Sequence, residues 1–215
     1  MIPEADIHAN SNAKVVFSSL GLVGQHYYYR NSGIKEIYYL NIPKNASQFL
    51  RNSMHFFFNN SENPKSFCIV REPLDRFLSI YKYAINVEEN FNRFAESFFH
   101  KKNLSTERYI KVGVEHFMPQ SFFVDNAPKK WKDSCQLITM EEFFSNGVNA
   151  GLEKIGLTAN ITIPNSKSNF SDYDDSYKKW LIDRLYTDYQ KEFEQYLHQD
   201  AELYERAKNK EILNS

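Results

Sequence analysis

The stretch YYLNIPKNASQFLRNSM, residues 38–54, joins an apolar run to Pro43 and Lys44 and then to a row of small polar residues. β-Forming residues at 34–41 predict a short strand, and the apolar residues of 45–58 recur at the spacing of one helical face, with Asn45 or Ser47 as the expected cap. A helix N-terminus has unpaired N–H groups and a partial positive charge. A lysine just before it therefore predicts a site for an anion.

A second segment, FCIVREPLDRFLSIYKY at 67–83, repeats this order of strand, basic residue and helix. Arg71 follows the predicted strand 66–70, and Pro73 opens the predicted helix 73–85, where its missing N–H is harmless. The guanidinium fork of Arg71 and the hydroxyl of Ser79 are groups that together hold a phosphate. Since parallel strands present their carboxyl ends at one edge of a sheet, the two segments predict a ligand with two separated anionic groups.

The rest of the chain continues the alternation of strands and helices. A third apolar run, 135–140, predicts a buried strand and is followed by a helical pattern over 141–157; further helices are expected at 87–102 and beyond residue 173. This order predicts an α/β fold with a central parallel sheet covered on both faces. The 215 residues show no repeat or linker, which indicates a single domain, 1–215.

Composition excludes some classes of function. The net charge of −1 argues against a nucleic-acid partner, although residues 30–82 carry eight Lys/Arg against four Asp/Glu, and residues 172–206 carry five against ten. Cys68 and Cys135 lie in apolar runs and are expected to be buried free thiols. No apolar run reaches the roughly 18 residues of a spanning helix and no signal sequence is seen, so we expect a cytoplasmic protein of bacterial type without a transmembrane segment.

Two segments, IPKNASQFL (42–50) and VREPLDRFLSIY (70–81), resemble the carbohydrate (Golgi-type) branch of the sulfotransferase superfamily. The second resemblance is the more specific, because five positions fall in register with a family element: Arg71, Pro73, Arg76, Ser79 and Tyr81. EHFMPQSFF (115–123) is similar to the family's His-x-x-Pro-Gln region, and KSNFSDYDD (167–175) to its Asn-x-Ser pattern. The resemblance covers residues 37–190 and leaves residues 1–35 unexplained.

The resemblance implies a three-layer α/β sandwich with a central parallel sheet, the P-loop nucleotide-kinase-like sulfotransferase fold. It implies transfer of a sulfuryl group from 3′-phosphoadenosine-5′-phosphosulfate (PAPS) to a hydroxyl, with a carbohydrate as the expected acceptor, 3′-phosphoadenosine-5′-phosphate (PAP) as the product and no metal. If the sequence is a catalytic domain of a longer membrane-anchored protein, the location would be the Golgi lumen. The implied donor-binding residues are Lys44, Asn45, Ala46, Ser47 and Gln48 for the 5′-phosphosulfate, Arg71 and Ser79 for the 3′-phosphate, and Lys167, Asn169 and Ser171 near the nucleotide. The family often has Gly or Thr where Ala46 and Ser47 stand, and Gln48 is unusual.

The general base and the reaction class stay open at this point. His116 is the candidate base, because a histidine near its ordinary pKa suits proton abstraction from a hydroxyl at neutral pH, and Glu115 is the alternative. Lys44 is the expected stabiliser of charge on the leaving group. Two other functions compete: a catalytically silent sulfotransferase-like domain that binds nucleotide or glycan, and a nucleotide kinase-like phosphotransferase, which the missing Gly-Lys-Ser/Thr cradle disfavours.

Overall fold

The computed structural model describes residues 14–16, 26–29, 36–59, 61, 63, 65–85, 90–100, 114–159, 162–163 and 175–213. In these ranges the strands are β1 (Lys14–Val16), β2 (His26–Tyr29), β3 (Ile37–Tyr39), β4 (Phe57–Asn59), β5 (Lys65–Val70), β6 (Cys135–Thr139) and β7 (Leu157–Ala159). The α-helices are α1 (Ser47–Ser53), α2 (Pro73–Ile85), α3 (Phe91–His100), α4 (Gln120–Asp125), α5 (Lys129–Lys132), α6 (Met140–Phe144), α7 (Val148–Lys154), α8 (Asp175–Asp188) and α9 (Gln190–Lys208). Short 3₁₀ helices cover Met54–Phe56 and Val114–Phe117.

Five strands form one sheet in the order β1-β2-β3-β5-β6. Strands β3, β5 and β6 are parallel, whereas β1 and β2 are antiparallel to each other and β2 to β3. The α/β class with a small parallel sheet is thus confirmed, but the sheet as a whole is mixed. The physical reason is the connection 30–36 between β2 and β3, which is shorter than the dozen or so residues of a parallel crossover.

Helices cover both faces of this sheet. Tyr39, Phe67 and Ile69 pack with residues of α1, α6 and α7 in one core, and Tyr38, Cys68 and Val70 pack with residues of α4, α5 and α9 in another. The two sets alternate along the strands, as expected where successive side chains point to opposite faces. A third, largely aromatic core joins α2, α3, α8 and α9 around the fully buried Phe77.

Helix α2 begins and ends as the sequence predicts, at Pro73 and Ile85. The predicted helix 45–58 is wrong in its second half: α1 ends at Ser53, and Phe57–Asn59 form β4, paired with β7. Phe57 is fully buried in this pairing, so a contact with residues a hundred positions away decides the structure against the helical spacing. The predicted helix 141–157 is likewise two helices, α6 and α7, separated at Gly147, whose φ is 91°.

The parallel strands place the candidate residues at one edge of the sheet. Lys44 lies in the loop after β3 and Arg71 directly after β5, so both follow the carboxyl ends of neighbouring parallel strands. Both cysteines are buried free thiols, as expected. The architecture therefore brings the two basic segments together at the carboxyl ends of β3 and β5.

Candidate functional site

The loop 41–46 between β3 and α1 has an unusual backbone. Lys44 and Ala46 both have left-handed conformations, with φ of 71° and 60°. Such conformations are uncommon for residues other than glycine, cost free energy and persist where the surroundings over-determine them, which happens often at ligand clamps. Ala46 is the N-cap of α1 and supplies no side-chain hydrogen bond, so the predicted capping by Asn45 or Ser47 is wrong.

Two arginines from the second segment hold this loop by its carbonyl oxygens. Nη1 of Arg71 donates to the carbonyl of Lys44 at 3.2 Å, and Nε of Arg76 donates to the carbonyl of Pro43 at 3.2 Å. Arg71, which directly follows β5, therefore contacts the loop after β3 that carries Lys44. Besides burial, the charge of Arg71 lowers the pKa of Lys44, so the two cations are close enough to interact.

The site concentrates positive charge. Burial lowers the pKa of Lys44, and the nearby cations Arg71, Arg76 and Lys82 lower it further. Burial also lowers the pKa of Arg71, although the neighbouring carboxylates of Asp75 and Glu141 act in the opposite direction. An ammonium whose charged form is disfavoured by burial and by like charges gains from the arrival of an anion. The electrostatics therefore favour an anionic ligand next to Lys44.

Arg71 and Arg76 differ in what they can offer a ligand. Arg71 is 3% exposed and Arg76 is 0% exposed. Nη1 of Arg76 donates to the hydroxyl of Tyr196 at 3.2 Å and lies 3.9 Å from Oδ2 of Asp200. Arg76 is thus a structural residue that ties α2 to α9, while Arg71 keeps a small exposed part and supports the loop of Lys44.

Gln120, the first residue of α4, joins the two loops. Its Oε1 accepts from Nδ2 of Asn45 at 2.6 Å and from the backbone N–H of Arg71 at 3.0 Å, and its Nε2 donates to the carbonyl of Arg71 at 2.8 Å. Nδ2 of Asn45 also donates to the carbonyl of Ile69 at 2.8 Å. Gln120 and Asn45 are both 0% exposed. The side chain of Asn45, a predicted ligand contact, therefore points inward and holds the loop.

An aromatic ring connects Lys44 with the candidate base. Nζ of Lys44 lies 4.6 Å from the ring centroid of Tyr83, and the ring of His116 stacks on the same tyrosine at 5.0 Å. Nδ1 of His116 lies 3.8 Å from Oε1 of Glu115, whose pKa is raised by burial. The 3₁₀ helix 114–117 thus brings His116, with Glu115 beside it, to the tyrosine ring that Lys44 contacts.

The other predicted residues have simpler surroundings. Ser47 is half-buried and Gln48 exposed in the first turn of α1, and Ser79 is half-buried on α2. Lys167, Asn169 and Ser171 lie outside the described residues. The sequence analysis missed Tyr83, for which no signal exists, and gave no role to Gln120. For Gln120, a polar residue directly after a proline within an apolar stretch was the available signal.

Comparisons with known proteins identify no relative: no protein-family model, no curated protein and no solved structure matches the chain. In the part of the chain that the structure describes, no three or more His, Cys, Asp and Glu residues are grouped so as to hold a metal ion. Over the same residues, every helix is too short or too polar to cross a bilayer. The arguments for function therefore come from the site itself.

Proposed function

We propose that this chain is a sulfotransferase that moves a sulfuryl group from PAPS to a hydroxyl of a carbohydrate acceptor, on a three-layer fold of the P-loop nucleotide-kinase-like type. One observation carries the proposal: Nη1 of Arg71 donates to the carbonyl of Lys44. The two basic strand exits that resemble the sulfotransferase elements are thereby parts of a single site. PAPS has anionic groups at the 3′ and 5′ positions of its ribose, and two neighbouring loops with basic residues could each bind one of them.

The charges of the site fit this donor. Burial and the neighbouring cations Arg71, Arg76 and Lys82 lower the pKa of Lys44, and the phosphosulfate of the donor would supply negative charge beside this ammonium. The left-handed backbone at Lys44 and Ala46 supports the same assignment, because strained turns of this kind are typical of phosphate-binding loops. Ser47 and Gln48 add donors on the first turn of the following helix.

The proposed chemistry is a direct transfer. The acceptor oxygen forms a bond to sulfur while the bond from sulfur to the bridging phosphate oxygen breaks, and the acceptor proton passes to a base. The ammonium of Lys44 stabilises the charge that develops on the leaving PAP. His116 takes the proton, because its ring stacks on Tyr83, which Nζ of Lys44 also contacts; Glu115, 3.8 Å from His116, is the alternative.

The experiment is transfer of labelled sulfate from PAPS to a panel of glycans. We expect wild type to label at least one glycan. The transfer rate of Lys44→Ala should be about 10²–10³-fold lower, which is typical of removing one hydrogen-bond donor to the developing charge. Lys65→Ala is the matched control, because Lys65 is a half-buried lysine at the opposite, amino end of β5. The control should keep its activity.

The outcomes also separate the competing functions. Binding of PAP without transfer to any acceptor would favour the catalytically silent binder. Tight binding of ATP in preference to PAP would favour the phosphotransferase. Equal transfer by wild type and Lys44→Ala would show that Lys44 has been assigned the wrong role.

A further inference from the structure

Gln120 has a contact set that the proposed chemistry does not use. Three hydrogen bonds of its side chain go to the two loops of the site, one to Asn45 and two to the backbone of Arg71. The amide orientation is fixed by these partners, because the N–H of Arg71 needs an acceptor and the carbonyl of Arg71 needs a donor. A side chain from α4 thus satisfies the backbone of Arg71 at the point where β5 ends.

The Gln120 and Asn45 amides together form a continuous link between the loops. Asn45 donates to Gln120 and to the carbonyl of Ile69, the residue two positions before Arg71. Both amide side chains are fully buried, so neither contacts a ligand directly. Their effect on a ligand must come through the relative position of Lys44 and Arg71.

We infer that Gln120 is a positioning residue that couples the two anion-binding loops, so that the two phosphates of a 3′,5′-bisphosphorylated adenosine bind as one unit. This inference rests on the proposed function. The physical reason is preorganisation: when the spacing of the two loops is fixed before binding, the second phosphate binds without a further cost of ordering. Without this link, each loop still binds its own phosphate, but the affinity gained by joining the two phosphates in one ligand is smaller.

The quantity that reports this coupling is the ratio of the dissociation constant of adenosine 5′-monophosphate to that of PAP, measured by calorimetry. We expect Gln120→Met, which keeps the volume and removes all three hydrogen bonds, to lower this ratio about tenfold. The affinity for adenosine 5′-monophosphate alone should change by less than about threefold, because one anion needs only one loop. A merely structural role would leave the ratio unchanged.

The control is Asn59→Leu, which removes a buried amide of β4 that lies at the amino end of β3, the end opposite the site. Nδ2 of Asn59 donates to the carbonyls of Glu36 and Asn63 at 3.2 and 2.8 Å, and its Oδ1 accepts from the N–H of Ser61 at 2.9 Å. This variant should lose stability as Gln120→Met does and keep the wild-type ratio. Asn45→Ala is a second test of the link between the loops and replaces Gln120→Met if that variant does not fold. The ratio of the two dissociation constants should fall in Asn45→Ala as well.

The results distinguish the inference from the function on which it rests. If wild type binds PAP and the folded variants keep its ratio, the role of Gln120 is wrong and the proposed function stands. If wild type binds neither nucleotide, the proposed function fails and the inference fails with it.

Discussion

Lys44 has the central role in the proposed chemistry, and its surroundings are consistent with that role. The left-handed backbone directs the side chain over the ring of Tyr83, beside Arg71, Arg76 and Lys82. A cation over an aromatic face gains about 0.5–2 kcal/mol, so the ring offsets part of the cost of burying the ammonium among like charges. The ring therefore holds the Lys44 side chain in place before an anion binds, and the like charges around Lys44 favour binding of an anion.

The lowered pKa of Lys44 predicts how binding depends on pH. The charged ammonium is present below this pKa and is lost as the pH rises through it, so affinity for PAP should begin to fall below the ordinary lysine value of 10.5. In Lys44→Arg the guanidinium keeps its proton, and the decline should move to higher pH or disappear. Calorimetric titrations between neutral pH and about pH 11 measure this. Superimposable pH profiles would count against a role for the Lys44 charge.

His116 and Glu115 can be told apart by substitution. If His116 is the base, His116→Asn should lower kcat by about 10²–10⁴ in the sulfate-transfer assay, with PAP affinity unchanged. Glu115→Gln, which removes the neighbouring carboxylate, should have a much smaller effect on kcat. The reverse pattern would assign the base to Glu115, and full activity in both variants would exclude this pair.

At the residue scale the sequence predicts which cations meet, but not how they are held. Lys44 and Arg71 follow predicted strands directly, so the topology of a parallel sheet is enough to place them together. The inward amide of Asn45 and the bonds of Gln120 depend on α4, because Gln120 lies 75 residues after Asn45 in the chain. No local pattern encodes a contact of that kind, so the resemblance, which implies ligand binding for Asn45, does not reveal that its side chain holds the loop.

At the scale of elements, a buried ionic network ties α2 to the loop and to α9. Nε of Arg76 donates to the carbonyl of Pro43, its Nη1 to the hydroxyl of Tyr196, and Oδ1 of Asp200 accepts from the N–H of Ser121 at 3.2 Å. Burial raises the pKa of Tyr196 to about 12, so its hydroxyl stays protonated as a partner in this network. Helix α9 thereby supports the loop of Lys44 through Arg76.

This network predicts a strong effect on stability. Arg76→Met leaves the carboxylate of Asp200 buried without its cation and should lower the free energy of unfolding by about 3–5 kcal/mol. Arg76→Met with Asp200→Asn removes the stranded charge while keeping the bond from Ser121, and should recover part of that loss. Urea denaturation of wild type, Arg76→Met, Asp200→Asn and the double variant measures the difference. Simply additive losses would mean that Arg76 and Asp200 do not interact.

The elements themselves were predictable where local signals are strong. Pro73 marks the start of α2, and uninterrupted apolar runs mark β5 and β6, so these agree closely with the structure. The residues of β4 were predicted as helix because Phe57 and Phe58 also fit a helical face. Their pairing with Leu157–Ala159 is set by tertiary packing, and the sequence of either segment alone does not specify it.

For the whole molecule, the central claim is that the loops after β3 and β5 jointly hold one doubly anionic adenosine donor. Four of the eight Lys/Arg residues of 30–82 lie at this site: Lys44, Arg71, Arg76 and Lys82. The claim concerns the cooperation of two loops, so a test on one residue is not sufficient.

The most direct measurement is calorimetric titration of PAP into wild type, Lys44→Ala, Arg71→Ala and the control Lys65→Ala, with ATP as the competing nucleotide. The account predicts that wild type and the control bind PAP alike and that ATP does not displace it. Arg71→Ala should bind more weakly by about 2–3 kcal/mol, from loss of charge-assisted contacts and of the support to the loop, and Lys44→Ala should also be weakened. Equal affinity for PAP in all four proteins, or no binding by wild type, would contradict it.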